Sequence, residues 1–203
     1  MFEAVGRGGQ RITVWPAKQL VVVFTGGGFE PGDLAGFILR ALKSSEALPP
    51  NADATRRLLE RIRRVTNAPP ERIVSVLPPM AERISGKAFT LSTNTTGFTS
   101  ISLRFNRAVE AEAEFVLENR RLTFPLGLDG VGRFSPNAIV KLPQIASGRW
   151  ISNDTFVLEL DLVGGINHYT VTLKFAKNGQ QLKGQLTERT GLAKEAFEGR
   201  LSN

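Results

Sequence analysis

Cysteine is absent from this chain of 203 residues, which removes disulfides, thiolate metal centres and cysteine nucleophiles together. Histidine and tyrosine occur once each, as His168 and Tyr169. A lone imidazole cannot build a histidine metal cluster, and on a strand beside Tyr169 it reads as structural rather than catalytic. No apolar run approaches the length of a membrane span, and Met1 leads into a strand-like segment rather than a signal peptide. The Gly26-Gly27-Gly28 run lacks the Lys and Ser/Thr that follow the glycines of a phosphate-binding loop, so it reads as a strand-to-helix turn. Paired, buried-looking carboxylates are also missing: Glu110, Glu112 and Glu114 recur at period two, the spacing of one solvent-facing strand face. Asn94-Thr95-Thr96 and Asn153-Asp154-Thr155 fit glycosylation sequons, a pattern short enough to arise by chance. Nothing calls for a metal or a cofactor.

What is present suffices for one or two small cores, with 41% hydrophobic residues. The formal net charge is +7. Much of the excess falls on Arg56, Arg57, Arg61, Arg63 and Arg64, in a segment from Asn51 to Thr66 whose Leu58, Leu59, Ile62 and Val65 recur at helical spacing. A basic stripe can attract phosphates, yet the segment has no aromatic residue for base stacking, so a solvated helix face is expected rather than nucleic-acid binding. Pro49-Pro50, Pro69-Pro70 and Pro78-Pro79 punctuate the chain. Ahead of the first pair, Asp33 can cap a helix with Leu34, Phe37, Ile38, Ala41 and Leu42 on one face, suited to packing across a sheet. From Ala68 to Arg83 a proline-rich linker carries Ile73, Val74, Val76 and Leu77, apolar residues that suggest a linker laid on a surface.

Beyond about residue 81 the pattern becomes that of an antiparallel β-barrel or sandwich. Ala88 to Leu91, Thr99 to Phe105, Ala111 to Glu118 and Arg121 to Phe124 alternate in its first half. Thr155 to Val163 and Asn167 to Phe175 flank the turn signal Gly164-Gly165, and Asn178-Gly179 precedes Gln181 to Thr187. The halves echo one another: Ser85-Gly86-Lys87 and Leu103-Arg104-Phe105 return as Ser147-Gly148-Arg149-Trp150 and Leu173-Lys174-Phe175, with Glu198-Gly199-Arg200-Leu201 closing the chain. A barrel can hold a ligand, but a small one is often filled by its own side chains. Phe89, Phe98, Phe105, Phe115, Phe124, Trp150, Phe156, Tyr169 and Phe175 are accordingly expected in the core rather than as a ligand box.

At the other end, Phe2 to Trp15 and Leu20 to Thr25 read as two apolar strands joined by a turn at Pro16-Ala17-Lys18-Gln19. The pattern A-x-G-x-G-G-Q-x-(I/V)-x-V-x-P from Ala4 to Pro16, then Leu20-Val21-Val22-Val23, resembles the last part of the transpeptidase-like domain of serine β-lactamase-related hydrolases. Class C β-lactamases and penicillin-binding-protein-like esterases belong to that family, and the barrel pattern is similar to the lipocalin-like domain appended in many of them. The resemblance implies that the chain begins in mid-motif. It places the family's third motif so that its glycine falls on Gly6 and the following residue on Arg7, whose backbone N–H would supply half of an oxyanion hole. Ala4-Val5 stand where the family has a cation and a hydroxyl. No Ser is followed three residues on by Lys, and Tyr169 is followed by Thr170-Val171, so the nucleophile and base motifs are missing.

The expectation is therefore an α+β chain. Residues 1–48 would be the end of a β-lactamase-like serine-hydrolase domain, 49–80 a helix and proline-rich linker, and 81–203 an antiparallel lipocalin-like β-barrel. The family implies acyl-enzyme hydrolysis of amide, ester or β-lactam bonds in a complete enzyme, on a small-molecule substrate, with this chain inactive alone. Partners would be a missing N-terminal hydrolase segment or a second copy, through the N-terminal hairpin. Members of the family are often periplasmic or cytoplasmic in bacteria. Two other readings stand beside it: a stand-alone β-barrel binding an apolar ligand, and an accessory domain docking on a catalytic partner.

Overall fold

The computed structural model describes residues 1–67, 74, 76–106, 109–118, 120–136 and 142–202, the side chain of Asp33 excepted. Expectations for Ile73 and for the linker between 68 and 73 lie outside the described residues. The chain divides into two compact units, Met1–Pro69 and Pro70–Asn203.

The first unit contains a three-stranded antiparallel sheet, β1 (Phe2–Val5), β2 (Arg11–Trp15) and β3 (Leu20–Phe24), in that order. What the alternation presents as one strand from Phe2 to Trp15 is thus two, folded back by a turn in which Gly8 and Gly9 have φ of 81° and 95°. A side chain at Gly9 would also put its Cβ 2.0 Å from the Phe29 carbonyl oxygen. Both glycines are therefore demanded by local backbone geometry. The register aligns Phe2, Val14 and Val21 across the sheet, and likewise Ala4, Ile12 and Val23. Directly opposed residues share a face, so one face is wholly apolar, and Phe2, Val21 and Val23 on it are 62%, 59% and 58% exposed. On the other face the Thr13 hydroxyl, buried, donates to the Glu3 carboxylate at 2.7 Å.

A 3-10 turn, Pro31–Leu34, leads into α1 (Ala35–Ala41). Its cap is Glu30, whose side chain accepts from the Gly32 N–H at 2.9 Å. The expected packing of this helix is corrected: Leu34, Phe37 and Leu42 stay exposed. A seven-residue helix that turns extended at Leu42 is too short to lay two turns of apolar side chains on a sheet. The arginine-rich segment does form a helix, α2 (Ala52–Thr66), capped by Asn51 accepting from the Ala54 N–H at 2.9 Å.

The second unit is a barrel. After α3 (Pro79–Ile84) come β4 (Ala88–Leu91), β5 (Phe98–Phe105), β6 (Glu110–Leu117), β7 (Arg120–Gly127), β8 (Arg133–Ser135), β9 (Gln144–Trp150), β10 (Thr155–Leu162), β11 (His168–Phe175), β12 (Gln181–Glu188) and β13 (Lys194–Leu201). The ladder runs β10-β11-β12-β13-β4-β5-β6-β7-β9 and returns from β9 to β10, which closes the ring. Its neighbours are antiparallel except β7 and β9, which meet in parallel only at Gly127 and Ser147, while β8 adds to β9. Closure leaves no open edge in the ring, and alternation sends every second side chain inward.

The two ends of the barrel differ. At the base, α3 buries Met80, Ala81 and Ile84, and Arg83 reaches the Lys177 carbonyl. Above it Trp150 sits 5.6 Å from Phe105, 5.3 Å from Phe156 and 6.0 Å from Phe175, centroid to centroid. Room for these rings comes from missing side chains: a Cβ on Gly148 would lie 2.4 Å from the Phe156 ring, and one on Gly184 2.0 Å from that of Phe197. All nine aromatic residues expected inside are in the core or packed against it. The antiparallel barrel was expected. The hydrolase-domain end was also expected over residues 1–48, and there the chain forms the three-stranded sheet and short helix instead.

Candidate functional site

Side chains fill the base but not the opposite end. There the barrel holds a cavity of about 330 Å³. Phe98, Phe115 and Leu117 of β5 and β6 form one wall, and Leu160 and Leu162 of β10 with Val171 of β11 and Leu186 of β12 form the other. The wall is apolar because these positions occupy the inward half of each alternation. Thr95 and Thr96 of the β4–β5 loop, Tyr169 and Ala193 complete the lining. Such a volume lies at the lower end of small-molecule sites, roughly 300–1,000 Å³.

Polar groups around this cavity come from positions where an inward apolar residue would continue the pattern. Glu188, only 4% exposed, stands opposite Tyr169 in the β11–β12 ladder. It accepts from the Thr190 N–H at 2.8 Å, the Thr190 hydroxyl at 2.6 Å and the Leu192 N–H at 3.1 Å, which folds the β12–β13 turn around the carboxylate. Glu195 stands opposite the cavity-lining Leu186 and accepts from the Thr95 N–H at 3.2 Å and from its hydroxyl. Gln144, fully buried, stands opposite Leu162 and next to Ser135. Among the described residues neither amide atom of Gln144 has a hydrogen-bond partner, and neither does the Ser135 hydroxyl. The base of the barrel carries a separate ion pair: Asp129, buried, meets Arg133 at 2.8 Å, and Arg133 also meets Glu110 at 2.9 Å. The Arg133 hydrogen bond, more than any other contact, lowers the Asp129 carboxyl below its ordinary value.

Sequence reasoning counted Phe98, Phe115 and Tyr169 among the core and did not single out Leu160, Leu162, Leu186, Glu188, Glu195 or Gln144. A signal was available for Glu188: the inward series Leu182, Gly184, Leu186 ends on a carboxylate in phase. The Nδ1 of His168 lies 2.7 Å from the Asp161 carboxylate, its cross-strand neighbour. Gly6 and Arg7 lie in the exposed turn between β1 and β2, and the Gly6 N–H donates to the Gln10 carbonyl at 2.7 Å. The turn is not part of the cavity's lining. On α2 the arginines and the apolar residues are alike exposed, and Arg56 pairs with Asp53 and Glu60 at 3.3 and 3.2 Å. Among the described residues no helix is long and apolar enough to cross a membrane, and no group of three or more His, Cys, Asp and Glu could hold a metal ion.

No family model and no curated protein matches the sequence. Among solved structures the chain is similar to a Schistosoma mansoni fatty acid binding protein in complex with arachidonic acid, at 9% identity and a TM-score of 0.47, over 61% of this chain and 99% of that one. It is similar to Caenorhabditis elegans lipid binding protein 8 at 8% identity and a TM-score of 0.48, over 63% and 100%. A third is As-p18, an extracellular fatty acid binding protein, at 10% identity and a TM-score of 0.47, over 63% and 100%. With no family model matching and nothing in the comparisons pointing to a serine β-lactamase-related hydrolase, that resemblance is corrected, and with it the hydrolase activity and the β-lactamase-like end of the fold. The physical reason lies in the motif. Its Gly8 and Gly9 are required by the β1–β2 turn and by the approach of Phe29, so the glycine pattern arises without hydrolase chemistry.

Proposed function

We propose that the barrel is a binding module for a small apolar ligand, held in the cavity at the end away from α3. One observation supports this reading above all: an apolar hollow at one end of a barrel whose other end is packed shut. Close packing is the ordinary state of a protein interior, so a hollow of about 330 Å³ lined by leucine, valine and phenylalanine costs stability unless something occupies it. Filling it with hydrocarbon recovers contacts and removes apolar surface from water, at about 25 cal/mol per Å².

The test is a titration of the isotope-labelled chain with 1-decanol, followed by amide chemical shifts. Saturable shifts confined to the strands around Leu160, Val171 and Leu186, with none around Phe89 and Met80 at the base, are expected. Leu160→Trp fills the cavity and abolishes them while the rest of the spectrum persists. Absence of any saturable shift in the barrel refutes the reading.

A further inference from the structure

The helix α2 buries no residue of its own, and its sequence sorts by side. At ~100° per residue, Leu58, Leu59, Ile62 and Val65 fall together on one side, with Ala54, Thr55 and Thr66 beside them. All are exposed, Val65 by 82%. Arg61 and Arg63, the immediate neighbours of Ile62, stand ~100° to either side of it. Arg57 lies one turn before Arg61, and Arg56 two turns before Arg63, so each flank of the apolar strip carries two guanidiniums. The carboxylates are on the far side, Asp53 and Glu60 being ~180° and ~160° from Ile62, with Arg64 next to them.

An apolar strip framed by arginines, with its acids turned away, matches a flat surface that is apolar within and anionic at its rim. Every basic residue of α2 is arginine, whose planar fork pairs bidentately with phosphate. Its stem can lie along the apolar boundary while the charged head stays in the headgroup layer. With 15 residues, α2 is shorter than the ~20 needed to span a bilayer, so it would lie along the surface. Other occupants fit less well. Two copies of α2 packed strip to strip would set arginine flank against arginine flank. The apolar face of the N-terminal sheet, with Phe2, Ala4, Ile12, Val14, Val21 and Val23, offers those flanks no carboxylate. A nucleic acid would engage the arginines and leave the leucines in water. An acidic protein groove would close over the far side as well and meet Asp53 and Glu60.

We infer that α2 is an interfacial helix that lays Leu58, Leu59, Ile62 and Val65 into the surface of an anionic phospholipid bilayer, with Arg56, Arg57, Arg61 and Arg63 against the phosphates. The inference rests on α2 alone and holds whether or not the barrel takes a ligand. The full chain is sedimented with vesicles of phosphatidylcholine and phosphatidylglycerol in equal parts, and with vesicles of phosphatidylcholine alone. Because the chain has no cysteine of its own, Val65→Cys and Glu60→Cys can each carry a single nitrobenzoxadiazole dye that reports the polarity around it.

Anionic vesicles are expected to bind the chain at a lipid concentration lower by about tenfold or more than neutral ones, and about 0.5 M salt should weaken that binding. Arg61→Gln with Arg63→Gln should cost roughly 25-fold on anionic vesicles, about fivefold for each arginine. Leu59→Gln with Ile62→Gln should cost about tenfold or more on the same vesicles. Glutamine is a good helix former and these positions are exposed, so the circular dichroism spectrum should persist. The dye at Val65→Cys should shift to the blue with anionic vesicles, and the dye at Glu60→Cys should not.

No binding to anionic vesicles overturns the inference. Binding unchanged by Leu59→Gln with Ile62→Gln overturns it too, since charge attraction alone would then account for it. Equal blue shifts at the two dye positions would mean an enclosing groove, tighter binding to a DNA duplex than to the vesicles a nucleic-acid partner, and a lipid-free dimer dissolved by Ile62→Gln a second copy. Each of these three results also overturns it.

Discussion

Gly148 and Phe156 face each other across the β9–β10 region of the packed base, and their fit can be measured as a coupling energy. Adding a methyl group through Gly148→Ala puts its carbon 2.4 Å from the ring carbon of Phe156. The ring cannot retreat, because it is 0% exposed and wedged between Trp150 and Phe105, with centroids at 5.3 and 5.6 Å. Overpacking of this kind costs about 1–3 kcal/mol. Phe156→Leu removes the obstructing ring atoms at a cost of roughly 1–2 kcal/mol, below the ~3–5 kcal/mol of full truncation to alanine. In that background the alanine methyl occupies space the ring has left, so Gly148→Ala should cost under about 0.5 kcal/mol. The double variant is then more stable than the sum of the singles by about 1–2 kcal/mol, well beyond the ~0.3–0.5 kcal/mol seen between independent sites. Urea unfolding followed by tryptophan emission and by circular dichroism reads all four proteins. Additive single effects would show that the glycine is not there to admit the ring.

Three further outcomes are expected. Asp129→Asn should destabilise the barrel by about 3 kcal/mol at neutral pH, since it leaves the Arg133 guanidinium short of its main partner. The Asp129 carboxyl is lowered in the folded state from its ordinary 3.8, chiefly by the Arg133 hydrogen bond. Its stabilisation is thus complete above the unfolded value and lost as pH falls through the folded one, so stability curves of the two proteins should converge below about pH 4; parallel curves would refute the pairing. Val21→Asp, on the exposed apolar face of the N-terminal sheet at 59% exposure, should change stability by under about 0.5 kcal/mol and reduce any concentration-dependent association through that face, as judged by sedimentation. Loss of folding would mean the face is covered. Trypsin should cut first among Arg56, Arg57, Arg61, Arg63 and Arg64 of the exposed α2, leaving a resistant piece that mass spectrometry places within the barrel unit; early cuts inside β4–β13 would contradict it.

Much of the barrel can be read from residue pattern alone. Gln181 to Thr187 alternates strictly, and its strand falls within a residue of that pattern, because a half-buried strand leaves period two in the sequence. Asn51 likewise announces the start of α2 through its side chain. β9 escaped notice because its inward positions read Gln144, Ala146, Gly148 and Trp150. A polar residue and two small ones erase the apolar half of the alternation, and the smallness of Gly148 has meaning only against Phe156. α3 was hidden among prolines, which suggest a linker, although proline is at home in a helix's first turn. The cavity was the least legible feature. A hollow is set by which opposed side chains fail to meet, and no single position carries that information. The hydrolase resemblance failed for a related reason, since a glycine-rich turn records backbone demands that unrelated sheets share.

The closed base has a consequence for time rather than for affinity. With Met80, Ile84, Trp150 and Phe156 stopping one end, a ligand of the proposed kind would pass through the opposite end, where among the described residues the turns that carry Thr95, Gly164-Gly165 and Thr190-Gly191 lie. Entry and exit over the same barrier are tied by detailed balance. A change in those loops that leaves the occupied state and the empty state alone must therefore speed or slow arrival and departure by one common factor, with occupancy at equilibrium untouched. For a ligand of the proposed kind, residence time would respond to turn residues away from the lining such as Gly164 and Gly191, both at φ of 83°, and affinity to the side chains that line the cavity, Thr95 and Ala193 of the turns among them.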